Sequence, residues 1–192
     1  MGRYSKYMKE IWSLQANRKV LSLTLFGVVI DNKTAFTPGQ QLTISDDTIE
    51  ALKMLISKGY DFLFIAGQPQ NRTRNLEIQD FENILSAMRE IIGKLGGRIK
   101  NAYYAPGVDK NDPYVKPNTG MFERAQNEGF VKWPGTYHVG SDNTDVKSSN
   151  KIGATPVLIT NGVTSKSKAF EITNNIKIKE FVSFLDFAKN VE

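Results

Sequence analysis

The chain has 192 residues, of which 40% are hydrophobic and 23% charged, with one histidine and no cysteine. This composition is typical of a globular domain, and it excludes disulfide scaffolds, cysteine-based zinc sites and thiol nucleophiles. The net charge of +5 at pH 7 supports an anionic partner only weakly, because 25 Lys and Arg residues stand against 20 Asp and Glu residues.

Residues 1–18 form a basic, aromatic segment that lacks the apolar stretch of a signal peptide, and we treat them as an N-terminal extension. No apolar run reaches the roughly 18 residues that a membrane-spanning helix requires. We therefore expect a cytoplasmic protein with no membrane span, built as a single domain over residues 19–192.

After the extension, strand signals alternate with helix signals. The predicted strands cover 19–29, 61–65, 101–104, 136–139 and 156–159. The first predicted helix begins at a capping box at 47–50 and ends at Lys58-Gly59. Four further helices are predicted over 77–95, 119–128, 145–151 and 178–189. This alternation predicts an α/β fold with a mostly parallel sheet and helices on both faces. Functional residues of such sheets follow the carboxyl ends of the strands, which draws attention to the loops at 27–43, 66–75, 106–118 and 140–144.

Four segments at these positions resemble the motifs of one family. Residues 116–121 (Lys-Pro-Asn-Thr-Gly-Met) resemble the Lys-Pro-x-x-Gly-Met segment of haloacid dehalogenase (HAD) phosphatases, and 139–145 resemble their Val-Gly-Asp-x-x-x-Asp loop. Residues 65–68 stand where the family has Thr-Asn-Gln, and 23–30 stand where it has Asp-x-Asp-Gly-(Thr/Val).

The resemblance extends over about residues 19–162, in the family's order. It is strongest to the branch that contains histidinol phosphatase, heptose bisphosphate phosphatase and the phosphatase domain of polynucleotide kinase. It implies a HAD-like, Rossmann-like three-layer fold with no large cap domain. The segment 178–189 is then a C-terminal helical tail.

The resemblance also implies a site, from which this sequence departs. HAD phosphatases use an Asp nucleophile, a second Asp for the leaving-group proton, a hydroxyl and a Lys for the phosphoryl group, and carboxylates for Mg²⁺. The non-matching residues at these positions are Thr24 (nucleophile), Phe26 (acid/base), Ala66 (hydroxyl) and Ser141 (first metal carboxylate). Lys116, Gln68 and Asp145 match the family, and from the sequence no base is evident beside Thr24.

Several further residues are candidates for ligand or metal binding. Basic or amide side chains give the ligand-binding candidates Gln68, Arg72, Arg74 and Lys116. The metal candidates are Asp145 and Asp142, the latter as a local replacement for the carboxylate missing at position 141.

Three residues have both a functional and a structural interpretation. Asp31 is a second replacement carboxylate if it swings inward, but it also suits a loop turn, as Asp142 suits a helix cap. His138 is expected to be a packed strand residue rather than a catalyst. The stretch 105–114 has no Cys or His, so no zinc site of the kind found in some relatives is expected.

The missing carboxylates favour a catalytically degenerate HAD-like protein, a pseudophosphatase, that needs no cofactor and acts as a binding or structural protein. Its expected partner is another protein or a second copy of the chain, contacted through residues 1–18 and 164–192. The alternative is a Mg²⁺-dependent HAD phosphatase, a phosphomonoester hydrolase, that acts on a sugar phosphate or a nucleic-acid 3′-phosphate with non-standard residues. Binding of nucleic acid or another anionic ligand through the basic residues ranks third.

Overall fold

The computed structural model describes residues 18–31, 42–67, 76–162 and 175–192. Within these ranges, six strands form one parallel sheet in the order β3-β2-β1-β4-β5-β6. The strands are β1 (Lys19–Leu23), β2 (Tyr60–Ala66), β3 (Ile99–Tyr104), β4 (Tyr137–Gly140), β5 (Thr155–Ile159) and β6 (Lys179–Phe181). The strand order reverses between β1 and β4, and ligands of open α/β sheets bind at such a switch point.

Five helices connect or follow the strands in the described ranges. They are α1 (Asp46–Ser57), α2 (Ile78–Lys94), α3 (Gly120–Asn127), α4 (Asn143–Lys151) and α5 (Phe184–Asn190). No helix in these parts of the chain combines the length and the apolar character that crossing a membrane would require.

The sheet is covered on both faces, which is visible in β2. Phe62 and Phe64 belong to the larger core, which also holds buried residues of α1, α2 and α5. Leu63 and Ile65 point to the opposite face and pack in a second core with α3 and the buried Trp133. Successive strand residues face opposite sides, so a strand that is apolar throughout requires two covered faces.

These observations confirm the predicted α/β three-layer fold with its parallel sheet, and the described residues contain no large cap domain. The division into an extension over 1–18 and a domain over 19–192 stays a prediction, because residues 1–17 lie outside the described ranges.

The prediction of the first strand was wrong at its end. β1 stops at Leu23, and residues 24–30 form a buried turn in which the amide of Val29 donates to the carbonyl of Leu25 at 3.1 Å. Gly27 has a φ of 80°, a conformation that glycine adopts without steric cost. Because the turn is buried, its apolar residues read in the sequence like the continuation of a strand.

The start of the first helix was also predicted wrongly. The N-cap is Ser45, whose hydroxyl accepts a hydrogen bond from the amide of Thr48 at 3.2 Å, so the cap lies two residues before Asp47, where the predicted capping box starts. The predicted end was correct: Lys58 caps the helix and Gly59, with a φ of 84°, follows it.

The predicted tail helix over 178–189 is two elements. The three-residue strand β6 pairs with β5, and α5 starts only after Ser183, whose hydroxyl accepts from the amide of Asp186 at 3.1 Å. A strand this short leaves no period-2 pattern in the sequence, which explains why it was missed.

Candidate active site

The candidate site lies at the carboxyl ends of the two central strands. Thr24 directly follows β1, and its amide donates to the carbonyl of Val139 in β4 at 2.9 Å, which extends the strand pairing by one residue. Asp145 lies in the first turn of α4, just after β4. The Thr24 hydroxyl donates a hydrogen bond to Oδ1 of Asp145 at 2.6 Å. The residue at the nucleophile position therefore contacts a carboxylate.

The approach of Asp145 to the sheet depends on the glycine that ends β4. A Cβ atom on Gly140 would lie 2.2 Å from the Cβ of Asp145, so no larger residue fits without moving the helix or the strand. The other carboxylate oxygen, Oδ2, accepts from the amide of Ser141 at 2.9 Å. The Val-Gly-Ser segment thus fixes Asp145 through its backbone.

Lys116 reaches the same carboxylate from the loop after β3. Its ammonium forms an ion pair with Oδ1 of Asp145 and lies 3.2 Å from Oγ1 of Thr24. The Lys116 side chain is only 7% exposed, and it passes over Gly67, at the end of β2, where a Cβ atom would meet its Cε at 3.4 Å. The structure therefore brings together Thr24, Lys116 and Asp145, which the sequence places in three separate motifs.

His138, in β4, is the fourth residue of this cluster. Its Nδ1 lies 2.8 Å from the hydroxyl of Ser22, and its Nε2 lies 3.5 Å from both Oδ1 of Asp145 and Oγ1 of Thr24. An ionised carboxylate only accepts hydrogen bonds, so we assign the proton of the neutral ring to Nε2 and the hydroxyl proton of Ser22 to the bond with Nδ1.

Sequence reasoning expected His138 to pack within a strand, and it missed its contact with the site. The alternation of side chains along a strand could have indicated this contact, because it places Ser22 and Thr24 on the same face at the end of β1. Ser22 is the register partner of His138. The side chain of Phe122 packs edge-on against the imidazole, with 4.9 Å between ring centroids.

Charge and burial set the protonation states of the cluster. Burial by itself raises the pKa of Asp145, but the charge of Lys116 and the hydrogen bond from His138 outweigh it and hold this pKa well below its usual range. Burial lowers the pKa of His138 below its usual range, against the opposing hydrogen bond and charge of Asp145. At neutral pH the site thus holds an ionised Asp145 carboxylate, paired with Lys116, and a neutral His138 imidazole.

Two other family positions are filled by apolar side chains that point elsewhere. Phe26 is buried in the larger core and packs edge-on against Phe81, with 6.2 Å between centroids. Its backbone borders the site, where its carbonyl accepts from the Ser141 hydroxyl at 3.1 Å. Ala66 ends β2, is buried, and offers no side-chain hydrogen bond.

Asp142 is the N-cap of α4. Its Oδ1 accepts from the amides of Thr144 and Asp145 at 2.7 and 3.0 Å, and from the Thr144 hydroxyl at 2.6 Å. This is the capping role that the sequence offered as its structural interpretation. Asp31 is exposed and follows the turn after β1. The ligand-binding candidates Gln68, Arg72 and Arg74 lie outside the described residues.

The residues present fit a Mg²⁺ ion poorly. Mg²⁺ takes near-octahedral oxygen ligands, usually including one or two carboxylates. Both oxygens of Asp145 already accept hydrogen bonds, and position 141 carries a neutral serine. Among the described residues, no three His, Cys, Asp or Glu side chains group closely enough to hold a metal. The metal role of Asp142 and Asp145 stays a prediction.

Comparison with known proteins shows which proteins this chain resembles. A family model described as HAD-hydrolase-like matches residues 114–183, which contain Lys116 and Asp145. A D-glycero-β-D-manno-heptose-1,7-bisphosphate 7-phosphatase of Neisseria meningitidis is 21% identical over 178 residues, covering 90% of this chain and 94% of that protein. The corresponding enzyme of Pseudomonas putida is 22% identical over 60% of this chain and 66% of its own length. Over residues 114–183 the chain is thus similar to HAD-like hydrolases, and over most of its length it is similar to a heptose bisphosphate phosphatase.

Solved structures of HAD-like proteins share the fold. A D,D-heptose 1,7-bisphosphate phosphatase from B. bronchiseptica, complexed with magnesium and phosphate, has a TM-score of 0.68 at 16% identity and covers 89% of this chain and 96% of its own. The enzyme from Burkholderia thailandensis has a TM-score of 0.60 at 17% identity, covering 90% and 97%. The resemblance to HAD phosphatases of the heptose bisphosphate phosphatase branch is thereby confirmed.

These comparisons contradict the main functional prediction. The relatives that match almost the whole chain are phosphatases, which supports the phosphatase alternative over a pseudophosphatase that acts through protein contacts. The physical reason for the error is also visible. The sequence showed no base beside Thr24, whereas folding brings the carboxylate of Asp145 to 2.6 Å from its hydroxyl.

Proposed function

We propose that this protein is a phosphomonoester phosphatase that acts on a sugar phosphate, with Thr24, Lys116 and Asp145 at its reaction centre. The observation that carries the proposal is the convergence of the Thr24 hydroxyl and the Lys116 ammonium on one buried carboxylate at the strand switch point. The names of the relatives support the reaction class.

Lys116 is the group that receives the phosphate. Its ammonium is a compact charge on a flexible four-carbon stem, so it can turn from Asp145 to an incoming phosphate oxygen without moving the backbone. Because it also lies 3.2 Å from Oγ1 of Thr24, a phosphate held by Lys116 comes next to that hydroxyl.

Thr24 and Asp145 then supply the chemistry. The Thr24 hydroxyl passes its proton to Asp145 while Oγ1 attacks phosphorus, and the bond between phosphorus and the sugar oxygen breaks. The sugar alkoxide takes a proton from a water molecule, and the hydroxide that this leaves attacks the phosphorus of the phosphothreonine. The bond between phosphorus and Oγ1 of Thr24 breaks, and the Thr24 alkoxide takes back the carboxyl proton of Asp145, which restores the starting state.

The basicity of Asp145 depends on where Lys116 is. In the structure described above, the ion pair holds the pKa of Asp145 well below its usual range, which makes the carboxylate a weak base. A phosphate dianion that draws Lys116 away removes the largest opposing charge, and burial then raises the pKa of Asp145. Substrate binding therefore activates the base in this proposal.

The substrate class comes from the relatives. The Neisseria protein is named for removal of the 7-phosphate of a heptose bisphosphate, so we propose a phosphate ester on a sugar alcohol as the substrate of this chain. A nucleic-acid 3′-phosphate is the other ester class that the sequence suggested, and it is included in the test.

The test is phosphate release from a panel of esters by purified protein. The panel contains D-glycero-β-D-manno-heptose 1,7-bisphosphate, other sugar mono- and bisphosphates, and an oligonucleotide 3′-phosphate, each with and without Mg²⁺. We expect release from a sugar phosphate, and Thr24→Val should lower it by about 10⁴-fold or more because Val has the shape of Thr without the nucleophile. Absence of release from every ester would overturn the proposal.

Thr155→Val is the matched control for this substitution. Thr155 begins β5 at the opposite end of the sheet, and its backbone amide donates a hydrogen bond to the carbonyl of Thr136 at 2.8 Å. The control variant should release phosphate at the wild-type rate. An equal loss in both variants would show that the Thr24 effect is structural.

A further inference from the structure

We infer that this site binds a phosphate monoester without a divalent metal, because the ammonium of Lys116 takes over the neutralisation that a metal ion provides elsewhere. The inference rests on the proposed function for its ligand, but it concerns binding and has a test that does not need turnover.

The carboxylate at the centre already accepts a hydrogen bond at each of its two oxygens. Oδ1 of Asp145 accepts from the Thr24 hydroxyl and the Lys116 ammonium, with Nε2 of His138 3.5 Å away, and Oδ2 accepts from the amide of Ser141. A metal ion that binds through Oδ1 competes with these donors, and a donor that it displaces loses its acceptor in a buried place.

Position 141, where the family has a metal carboxylate, carries a serine. Ser141 offers a neutral hydroxyl, which is already used in a hydrogen bond to the carbonyl of Phe26 at 3.1 Å. Asp142, the nearest acid along the chain, holds the N-terminus of α4 through three hydrogen bonds. Turning Asp142 inward costs the helix its cap, so it is a poor substitute for the missing ligand.

The charges of the cluster balance each other. The described cluster contains one negative group, Asp145, and one positive group, Lys116, while burial keeps His138 neutral. The charge of Asp145 is thus already compensated by Lys116, so a divalent ion gains less from this carboxylate than from one without a cation beside it. A phosphate anion has Lys116 as its attractive partner.

The experiment is calorimetric titration of the full chain, first with MgCl₂ alone and then with inorganic phosphate, in EDTA and in excess Mg²⁺. We expect no heat of Mg²⁺ binding and the same phosphate Kd with and without the metal. Lys116→Met should weaken phosphate binding about tenfold or more, because one charge-assisted contact is lost. Lys116→Arg keeps the charge and should retain most of the binding.

Two further variants keep the test decisive. Lys151→Met removes an exposed lysine that donates to the carbonyl of Pro117 in the same region, and it should leave phosphate binding unchanged. Ser141→Asp restores the family's carboxylate and should create Mg²⁺ binding where the wild type has none. Thermal unfolding of each variant establishes that it is folded.

The outcomes separate this inference from the proposed function. Phosphate binding in EDTA without turnover of any ester would support the inference and overturn the phosphatase proposal. Turnover and phosphate binding that both require Mg²⁺ would overturn the inference and leave the proposal standing. Binding of Mg²⁺ by the wild-type chain, or no phosphate binding in either condition, would also overturn the inference.

Discussion

Two carboxylates are fully buried at opposite ends of the same sheet, and they differ in what neutralises them. Asp61, near the amino end of β2, accepts from Nε of Arg18 at 2.7 Å and from Nη2 of Arg98 at 2.8 Å. Asp145, after the carboxyl end of β4, is held by Lys116, a hydroxyl and an imidazole.

The difference indicates that Asp61 has a structural role. The guanidinium groups on Asp61 are planar, permanently charged forks, and Arg18 also donates to the carbonyls of Ile56 and Tyr60 at 3.1 and 2.7 Å. These contacts hold Arg18, the residue directly before β1, against the amino end of β2. The cation on Asp145 is a single ammonium on a flexible stem, and the other partners of Asp145 carry no formal charge. Asp61 thus has two fork-shaped cations, whereas Asp145 has one cation at the carboxyl ends of the central strands, where ligands of such sheets bind.

The largest expected effect distinguishes the two carboxylates by activity. Asp145→Asn removes the proton acceptor of Thr24 and should lower phosphate release by about 10³-fold or more. Asp61→Asn, the same chemical change at the other end of the sheet, should leave kcat per folded molecule unchanged. The measurement is steady-state phosphate release at a temperature well below the unfolding midpoint of both variants. Equal losses would show that Asp145 has no special role.

The next effect distinguishes them by stability. Asp61→Asn leaves two arginines without their buried acceptor and should lower the free energy of unfolding by about 2–4 kcal/mol, discounted because both arginines are partly exposed. Urea denaturation measures this loss. Glu90→Gln, which breaks the exposed helix pair with Lys94, is the control and should give no measurable change. A stability loss at Asp61 no larger than the control would contradict the structural role.

Much of this molecule follows from local patterns in the sequence. The period of two, the run of apolar residues in β2 and the amphipathic period of α2 place these elements to within two residues. The family motifs also placed Lys116 and Asp145 correctly in the segments that follow the carboxyl ends of the strands. What local patterns do not contain is the pairing of side chains: Thr24 and Asp145 are 121 positions apart, and only the register of β1 against β4 brings them together.

The errors have the same origin. Without tertiary contacts, Thr24 reads as a hydroxyl without a base, and His138 reads as a strand residue without a polar partner. The tail was misread because pairing of β6 with β5, rather than its own periodicity, decides its conformation.

A smaller effect tests how the backbone holds Asp145. Gly140→Ala places a methyl group where the Cβ of Asp145 lies, so we expect a stability loss of about 1–3 kcal/mol together with reduced phosphate release. Gly67→Ala meets only the flexible end of Lys116 at an ordinary contact distance, and it should be close to wild type in stability. Thermal unfolding and phosphate release of both variants check this. Tolerance of Ala at position 140 would show that Asp145 is less tightly placed than the structure indicates.

The smallest effect concerns the protonation of His138, whose Nε2 lies 3.5 Å from Oδ1 of Asp145. Its pKa is lowered in the folded state by burial, so below about pH 6.5 the unfolded chain binds a proton that the folded chain does not. The neutral His138 ring therefore costs no stability above the pKa of the unfolded chain. As the pH falls below that pKa, protonation of the unfolded chain lowers the free energy of unfolding. His138→Gln should reduce this loss between about pH 7 and pH 5.5, measured by urea denaturation. Because the chain has one histidine, a single imidazole signal in NMR reports the same titration directly. A midpoint at or above the ordinary value of about 6.5 would contradict a neutral, buried ring beneath the site.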